Sequence, residues 1–205
     1  MDFKKKKFLI VLIAPSGGGK STICKKILAQ RDDVEYSISF TTRSPRGKEK
    51  NGVDYFFIDE KIFKDKIKNN EFIEYAKVHN HWYGTSSKII KDIINKDKYA
   101  ILDIDIQGAE KVKLQNIDMI SIFLIPPSNK VLTERLKSRK TETDEQIAIR
   151  LNDAKIEISK CNDFDYLVVN EDLDKAVYDV NQIINSEQFK SFRYVNALKD
   201  YYCED

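Results

Sequence analysis

Cysteine, glycine and arginine are all scarce in this chain of 205 residues. Only three cysteines occur, Cys24, Cys161 and Cys203, an odd number with no C-x-x-C pair. That excludes a disulfide framework and a cysteine-rich zinc site, and it fits a reducing, cytoplasmic setting. Long apolar runs are missing as well. A membrane span needs about 18 such residues; the longest run here, Phe8 to Ala14, has seven. The start MDFKKKKFLIVLIA has the basic-then-apolar order of a signal peptide. Its apolar run, however, ends in Pro15-Ser16-Gly17-Gly18-Gly19-Lys20 with no small-residue cleavage site. A buried strand is expected there instead. A surplus of one charge is also absent, since Lys+Arg 35 against Asp+Glu 33 leaves +2. A tail-like nucleic-acid binder would need a clear cationic excess. Neither a nucleic acid nor a membrane is expected as partner. Only seven of the 35 basic residues are arginine, so lysine is the default cation and each arginine asks for a reason.

What is present is a globular composition, 41% hydrophobic and 33% charged, at a length that suits one domain. Phe8–Ile13 is continuous and β-branched, as in a strand buried on both faces. Ile23, Ile27 and Leu28 then recur at helical spacing within 21–30. A short strand is expected at Tyr36–Thr41. Residues 51–78 change rhythm: a strand at 53–58, a helix at 59–68, a strand at 71–78. His79 and His81 flank Asn80 in a turn. The alternation of strand and helix resumes with strands at 99–105, 119–125 and 165–170. Helices are expected at 107–113, 128–138, 142–160 and 172–184, with Pro126-Pro127 ending the strand before the second of these. About five buried strands alternating with helices predict an α/β fold, an open and mostly parallel sheet with helices on both faces. The aromatic tail after Ser186 is expected to dock partly as a helix.

The glycines at 17, 18, 19, 47, 52, 84 and 108 all fall outside segments that read as regular helix or strand interiors. Three of them are consecutive. Ala14-Pro15-Ser16-Gly17-Gly18-Gly19-Lys20-Ser21 follows a buried strand and opens a helix, nearly the phosphate-loop pattern G-x-x-x-x-G-K-[ST]. Ala14 replaces the first glycine, which is tolerable where φ is negative. Backbone N–H groups converge on phosphates in such a loop, and the helix N-terminus adds its dipole. Lys20 would supply a point charge at the β- and γ-phosphates. The hydroxyl of Ser21 or Thr22 can reach Mg²⁺. Asp103 and Asp105 stand at the C-terminal end of a buried strand, where ligands collect in open α/β sheets. Carboxylates there need a cation or donors to face.

Further segments specify the loop's context: Ser39-Phe40-Thr41-Thr42-Arg43-Ser44-Pro45-Arg46, Asn51-Gly52-Val53-Asp54-Tyr55 and Asn70-Glu71-Phe72-Ile73-Glu74-Tyr75. Trp82-Tyr83-Gly84-Thr85 and Ile101-Leu102-Asp103-Ile104-Asp105-Ile106-Gln107-Gly108 follow. In order and spacing these closely resemble the guanylate kinases, over roughly residues 8–185. The resemblance implies a phosphate-loop nucleoside monophosphate kinase fold. Its core would comprise about 8–42, 99–127 and 161–185, with a GMP-binding, β-rich insertion at about 43–98. A helical lid would span about 128–160, and the tail 186–205 falls outside the match. It also implies Mg²⁺-dependent transfer of the γ-phosphoryl group of ATP to GMP, and to dGMP, giving ADP and GDP. Either a monomer or a homodimer is compatible with it.

The resemblance assigns residues too. ATP would lie on Ala14, Pro15, Ser16, Gly17, Gly18, Gly19, Lys20, Ser21 and Thr22, with Asn170 beside the adenine. Arg43 and Arg46 would hold the acceptor phosphate, a task that suits the two-pronged guanidinium. Tyr55 and Tyr83 would bond the same phosphate. Glu74 would read guanine, whose N1–H and 2-amino group are neighbouring donors that one carboxylate can accept; adenine offers no such pair. Ser39, Thr85 and Asp105 match further base contacts. Ser21 and Asp103, the latter through water, would face Mg²⁺. Arg135 and Arg139, four apart on one helix face, and Arg150 belong to the lid and would neutralise the transferring group. With Lys20 and Arg43 they form the catalytic set. Lys140 departs from the glycine that the family often has. The GMP phosphate oxygen is itself the nucleophile, so no nucleophilic side chain is required. Relatives that serve as non-catalytic scaffolds have lost ATP binding, whereas Lys20, Ser21, Arg135 and Arg139 are intact here.

Overall fold

The computed structural model describes residues 4–78, 80–115, 117–138 and 143–195. Arg139, Lys140 and His79 lie outside them, as do residues 196–205. The first strand, β1 (Leu9–Ile13), is buried throughout because both of its faces are covered. Phe8, Ile10 and Leu12 face α1 (Lys20–Gln30) and α7 (Leu173–Glu187), against Ile23, Ile27, Val177 and Val180. Leu9, Val11 and Ile13 face the other way, onto Ile90 and Ile93 of α3 (Ser87–Asn95) and Ala109 and Val112 of α4 (Ile106–Lys113). A two-residue period within a wholly apolar run thus feeds two separate helix layers.

β1 pairs in parallel with β7 (Tyr99–Asp103) and β8 (Met119–Ile125). β2 (Val34–Tyr36) and β9 (Tyr166–Val169) close the edges, giving the order β2-β7-β1-β8-β9. The expected parallel sheet with helices on both faces is what the chain forms. Its parallel strands bring the loops after β1, β2 and β7 to one edge.

A second sheet, ordered β4-β3-β6-β5, stands beside that edge. It contains β3 (Phe40–Thr41), β4 (Phe56–Phe57), β5 (Phe72–Val78) and β6 (His81–Ser86). The expected strand at 36–41 is therefore two strands in two sheets, parted by Ser37–Ser39. Of the expected strand at 53–58, only Phe56 and Phe57 form a strand, and Tyr55 makes an isolated bridge to Asn51. Strand β6 and helix α3 are elements that hydropathy left unassigned. The small sheet has an aromatic core: Phe40 stacks on Phe56 at 4.8 Å, and Phe63 of α2 (Glu60–Lys68) on Phe72 at 4.6 Å and on Trp82 at 5.9 Å. Gly84 lies inside β6, against expectation, because a Cβ there would stand 2.9 Å from the Phe63 ring. Gly108 likewise sits inside α4.

Helices α5 (Asn129–Ser138) and α6 (Asp144–Ser159) share a small core of Leu132, Leu136, Ile147 and Ala154. Thr143 and Gln146 cap α6 reciprocally. Leu132 and Leu136 also rest on Gly17, where a Cβ would meet them at 3.0 and 3.1 Å. After α7 the described part of the tail, up to residue 195, forms no α-helix; the rest of the expected helix lies outside the described residues. The tail makes a 3₁₀ turn at Ser191–Arg193 and then bridges antiparallel to Lys5 through Tyr194. Among the described residues, no helix is long and apolar enough to cross a membrane.

Candidate active site

The loop 14–19 leaves β1 and enters α1. Gly17 and Gly19 adopt φ of 85° and 91°, which an L side chain rarely takes. Ala14 is not among the described residues with positive φ, so it replaces glycine without backbone conflict. A Cβ on Gly19 would also fall 2.3 Å from the Asn170 side-chain nitrogen. That amide donates to the Gly18 carbonyl at 2.8 Å and is buried. Asn170 therefore braces the loop from β9's end, and its side chain is not turned outward toward a base.

Four cationic side chains of the site rest on oxygens of the chain itself. Lys20 donates to the Ile104 carbonyl at 2.7 Å. Arg135 donates through Nη2 to the Asn170 carbonyl at 2.9 Å, while its buried Nη1 has no hydrogen-bond partner among the described residues. Arg150 reaches Ser16 Oγ at 3.1 Å, across the loop. Arg43 is buried and grips Glu49 with both prongs, at 2.8 and 3.0 Å. This pairing lowers the Glu49 carboxyl and raises the Arg43 guanidinium. Arg46 is exposed, and its backbone N–H donates to the same Glu49. Ser21 donates to Asp103 Oδ2 at 2.9 Å. Thr22, one residue on, is exposed.

Beside these groups opens a cavity of about 270 Å³, lined by Ser39, Tyr55, Glu74, Tyr83, Asp103 and Asp105 among others. Tyr55 and Tyr83 meet edge to face at 6.0 Å, and the Arg43 guanidinium lies 5.2 Å from the Tyr55 ring. Glu74 comes from β5 and is only 6% exposed. Burial pushes its carboxyl up to about 7; a hydrogen bond from Thr85 opposes that shift and the charge of Asp105 adds to it. Thr85 donates to Glu74 Oε1 at 2.6 Å and is fully buried behind it, so it shapes the carboxylate rather than lining the cavity. Asp105 also caps α4 by accepting the Gly108 N–H at 2.8 Å. A Cβ on Gly108 would crowd Glu74 Oε2 at 3.2 Å, so the small residue gives that carboxylate its room.

The structure thus gathers Ser39, Tyr55, Glu74, Tyr83, Asp103 and Asp105 around one cavity, with Arg43 beside Tyr55, and Lys20, Ser21, Arg135 and Arg150 around the loop. Arg139 lies outside the described residues. Sequence reasoning passed over Glu49, Tyr36 and the packing role of Gly108. Lys48-Glu49-Lys50 reads as a solvated turn, and only the spacing to Arg43 and Arg46 could have marked Glu49.

A family model described as "Guanylate kinase" matches residues 6–187. The chain belongs to the guanylate kinase family. It is 39% identical to the guanylate kinase of Rickettsia prowazekii (strain Madrid E), over 95% of this chain and 98% of that one. With the guanylate kinase of Legionella pneumophila (strain Paris) it shares 43% identity, over 92% and 90%. A crystal structure of guanylate kinase from Anaplasma phagocytophilum superposes with a TM-score of 0.78 at 34% identity, covering 97% of this chain and 94% of that one.

Family membership agrees with a site that sets a buried carboxylate on a cavity wall, with an arginine fork behind one of the lining tyrosines. The hard oxygen donors Ser21 and Asp103 fit a magnesium ion, which keeps most of its coordination for water and nucleotide oxygens. No cluster of three or more His, Cys, Asp or Glu able to hold a metal by itself occurs among the described residues.

Proposed function

We infer that this guanylate kinase takes ATP on the phosphate loop and GMP in the cavity beside Glu74. The γ-phosphoryl group passes directly to a GMP phosphate oxygen, giving ADP and GDP. The observation that carries the assignment of the acceptor site is Glu74: a buried carboxylate at a cavity wall, with Arg43 next to Tyr55, which lines the same cavity. Guanine N1–H and its 2-amino group satisfy the carboxylate. The GMP phosphate takes the Arg43 fork from Glu49, an exchange of one bidentate anion for another. Tyr55, Tyr83 and Arg46 close on the same phosphate, and Ser39 and Asp105 bound the base.

On the donor side, Lys20 exchanges the Ile104 carbonyl for phosphate oxygens. The vacant Nη1 of Arg135 turns to the transferring group, and Arg150 and Arg139 follow as the α5–α6 hairpin closes. Magnesium, held on the side of Ser21 and Asp103, supplies charge neutralisation at the nucleotide phosphates. The residues themselves orient the two phosphates in line and exclude water. The deoxy acceptor dGMP is turned over as well. The helical lid and the GMP-binding insertion correspond to the α5–α6 hairpin and the second sheet.

A nucleotide panel tests the reading: with Mg²⁺ and ATP, GMP is phosphorylated and AMP, CMP and UMP are not. Turnover of AMP in place of GMP overturns it. Thr85→Val removes the donor to Glu74 while preserving shape. A net hydrogen bond is worth about 1 kcal/mol, so the KM for GMP rises roughly fivefold and the KM for ATP is unchanged in steady-state assays.

A further inference from the structure

We propose that Tyr36 is a positioning residue for Asp103, and through it for the metal–nucleotide end of the site. Tyr36 is the last residue of β2, and it pairs across the ladder with Ile101, two residues before Asp103. Its hydroxyl donates to Asp103 Oδ1 at 2.6 Å, while Ser21 donates to Oδ2 at 2.9 Å. The two oxygens of one carboxylate are thus held by different donors on different elements, which fixes the rotation of the carboxylate plane. Of the two, only the Ser21 side faces the phosphate loop. Tyr36 stands behind the carboxylate, where the guanine cavity adjoins a second cavity of about 350 Å³ running along α1; Tyr36, Tyr55 and Asp103 line both.

A hydroxyl committed to Asp103 cannot donate to GMP, so this role differs from base or phosphate contact. Outer partners of this kind fix the orientation of a ligating carboxylate, and their loss typically lowers metal affinity or activity by about 10- to 100-fold. In Tyr36→Phe the ring stays and only the tether on Oδ1 goes.

The proposal rests on the assignment of Asp103 to the metal side, and the experiment separates the two. Mn²⁺ binding to the full chain with a non-hydrolysable ATP analogue is followed by electron paramagnetic resonance, for wild type, Tyr36→Phe, Asp103→Asn and the double variant. The expected result is Mn²⁺ affinity lowered by about tenfold in Tyr36→Phe, GMP affinity without metal unchanged, and no further loss when Tyr36→Phe is added to Asp103→Asn. Unchanged Mn²⁺ affinity in Asp103→Asn overturns the assignment of Asp103. Weakened Mn²⁺ binding in Asp103→Asn but not in Tyr36→Phe overturns the Tyr36 proposal alone. So does a Tyr36→Phe variant that loses GMP affinity in step with Mn²⁺ affinity, or whose melting temperature falls enough to account for the weakened binding, since either marks a purely structural role.

Discussion

Glu74→Gln lowers kcat/KM for GMP by about 10²- to 10⁴-fold and leaves ATP binding intact. Two hydrogen bonds to a charged acceptor contribute roughly 1.5–3 kcal/mol each, and about 1.4 kcal/mol is a tenfold change. Glutamine keeps the size but turns one acceptor into a donor, which then confronts the guanine N–H groups. Steady-state kinetics with GMP and ATP varied separately check this, and unchanged GMP kinetics would refute the base-reading role. The pH profile gives a second readout. The Glu74 carboxyl titrates near 7 in the empty site because burial disfavours its charge. GMP needs the ionised form, so GMP affinity rises with pH up to about 7 and falls by up to roughly tenfold per pH unit below it. Glu74→Gln removes that limb and leaves the titration of the nucleotide phosphate, near pH 6. The same raised value means the folded empty protein binds more protons than the unfolded chain. Stability is therefore lost as pH rises from about 4.5 to 7, and bound GMP restores more of it at pH 8 than at pH 5.

Arg193→Ala lowers stability by about 3–5 kcal/mol, the usual consequence of stranding the partner of a buried ion pair. Arg193 is almost fully buried, with its guanidinium 3.6 Å above the Phe8 ring. Its Nη2 reaches Asp118 at 3.0 Å and Glu187 at 3.2 Å. Glu187, 1% exposed, also accepts from Tyr166 and pairs with Lys190. The backbone clamps the chain's beginning at the same place, Lys6 donating to the Arg193 carbonyl at 2.7 Å and Val195 to Lys4 at 2.8 Å. For a chain of this length the melting temperature falls by roughly 6–20 °C, read by calorimetry or circular dichroism. Pairing Arg193→Met with Glu187→Leu recovers at least half of the loss, because apolar side chains of like volume replace buried ions at little cost. A fall within 2 °C for Arg193→Ala sinks the idea.

The parallel sheet was legible because Phe8–Ile13 and Met119–Ile125 are too apolar for anything but strands covered on both faces. The phosphate loop was legible because three adjacent glycines before Lys20 have no economical structural explanation. Tyr36–Thr41 was not legible as two strands: Tyr-Ser-Ile-Ser-Phe-Thr alternates smoothly, and nothing in it marks where the chain leaves one sheet for another. Helix α3 hid because Ile89-Ile90 and Ile93-Ile94 are adjacent pairs, which suit a strand run as well as a helix face. Strand β6 carries polar and apolar residues without clear alternation, since Tyr83 faces the cavity and Thr85 faces Glu74. Among the described arginines, Arg46 alone has an exposed side chain; the others are buried or half-buried. Even Arg31 and Arg193, outside the site, make contacts that lysine could not copy: a fork on Asp33 and a stack on Phe8.

The aromatic interior of the second sheet has a consequence for inheritance. Phe40, Phe56, Phe63, Phe72 and Trp82 give the second sheet an aromatic core of its own, while Ile73 of β5 packs into the aliphatic layer around β1. Substitutions on the cavity-facing side of β6 can therefore accumulate without loosening the parallel sheet, whereas a change at Ile73 is felt in both. The two sheets are thus partly separable within one polypeptide, joined by the three residues Ser37–Ser39, by helix α3 and by the seat of Ile73 among the residues around β1.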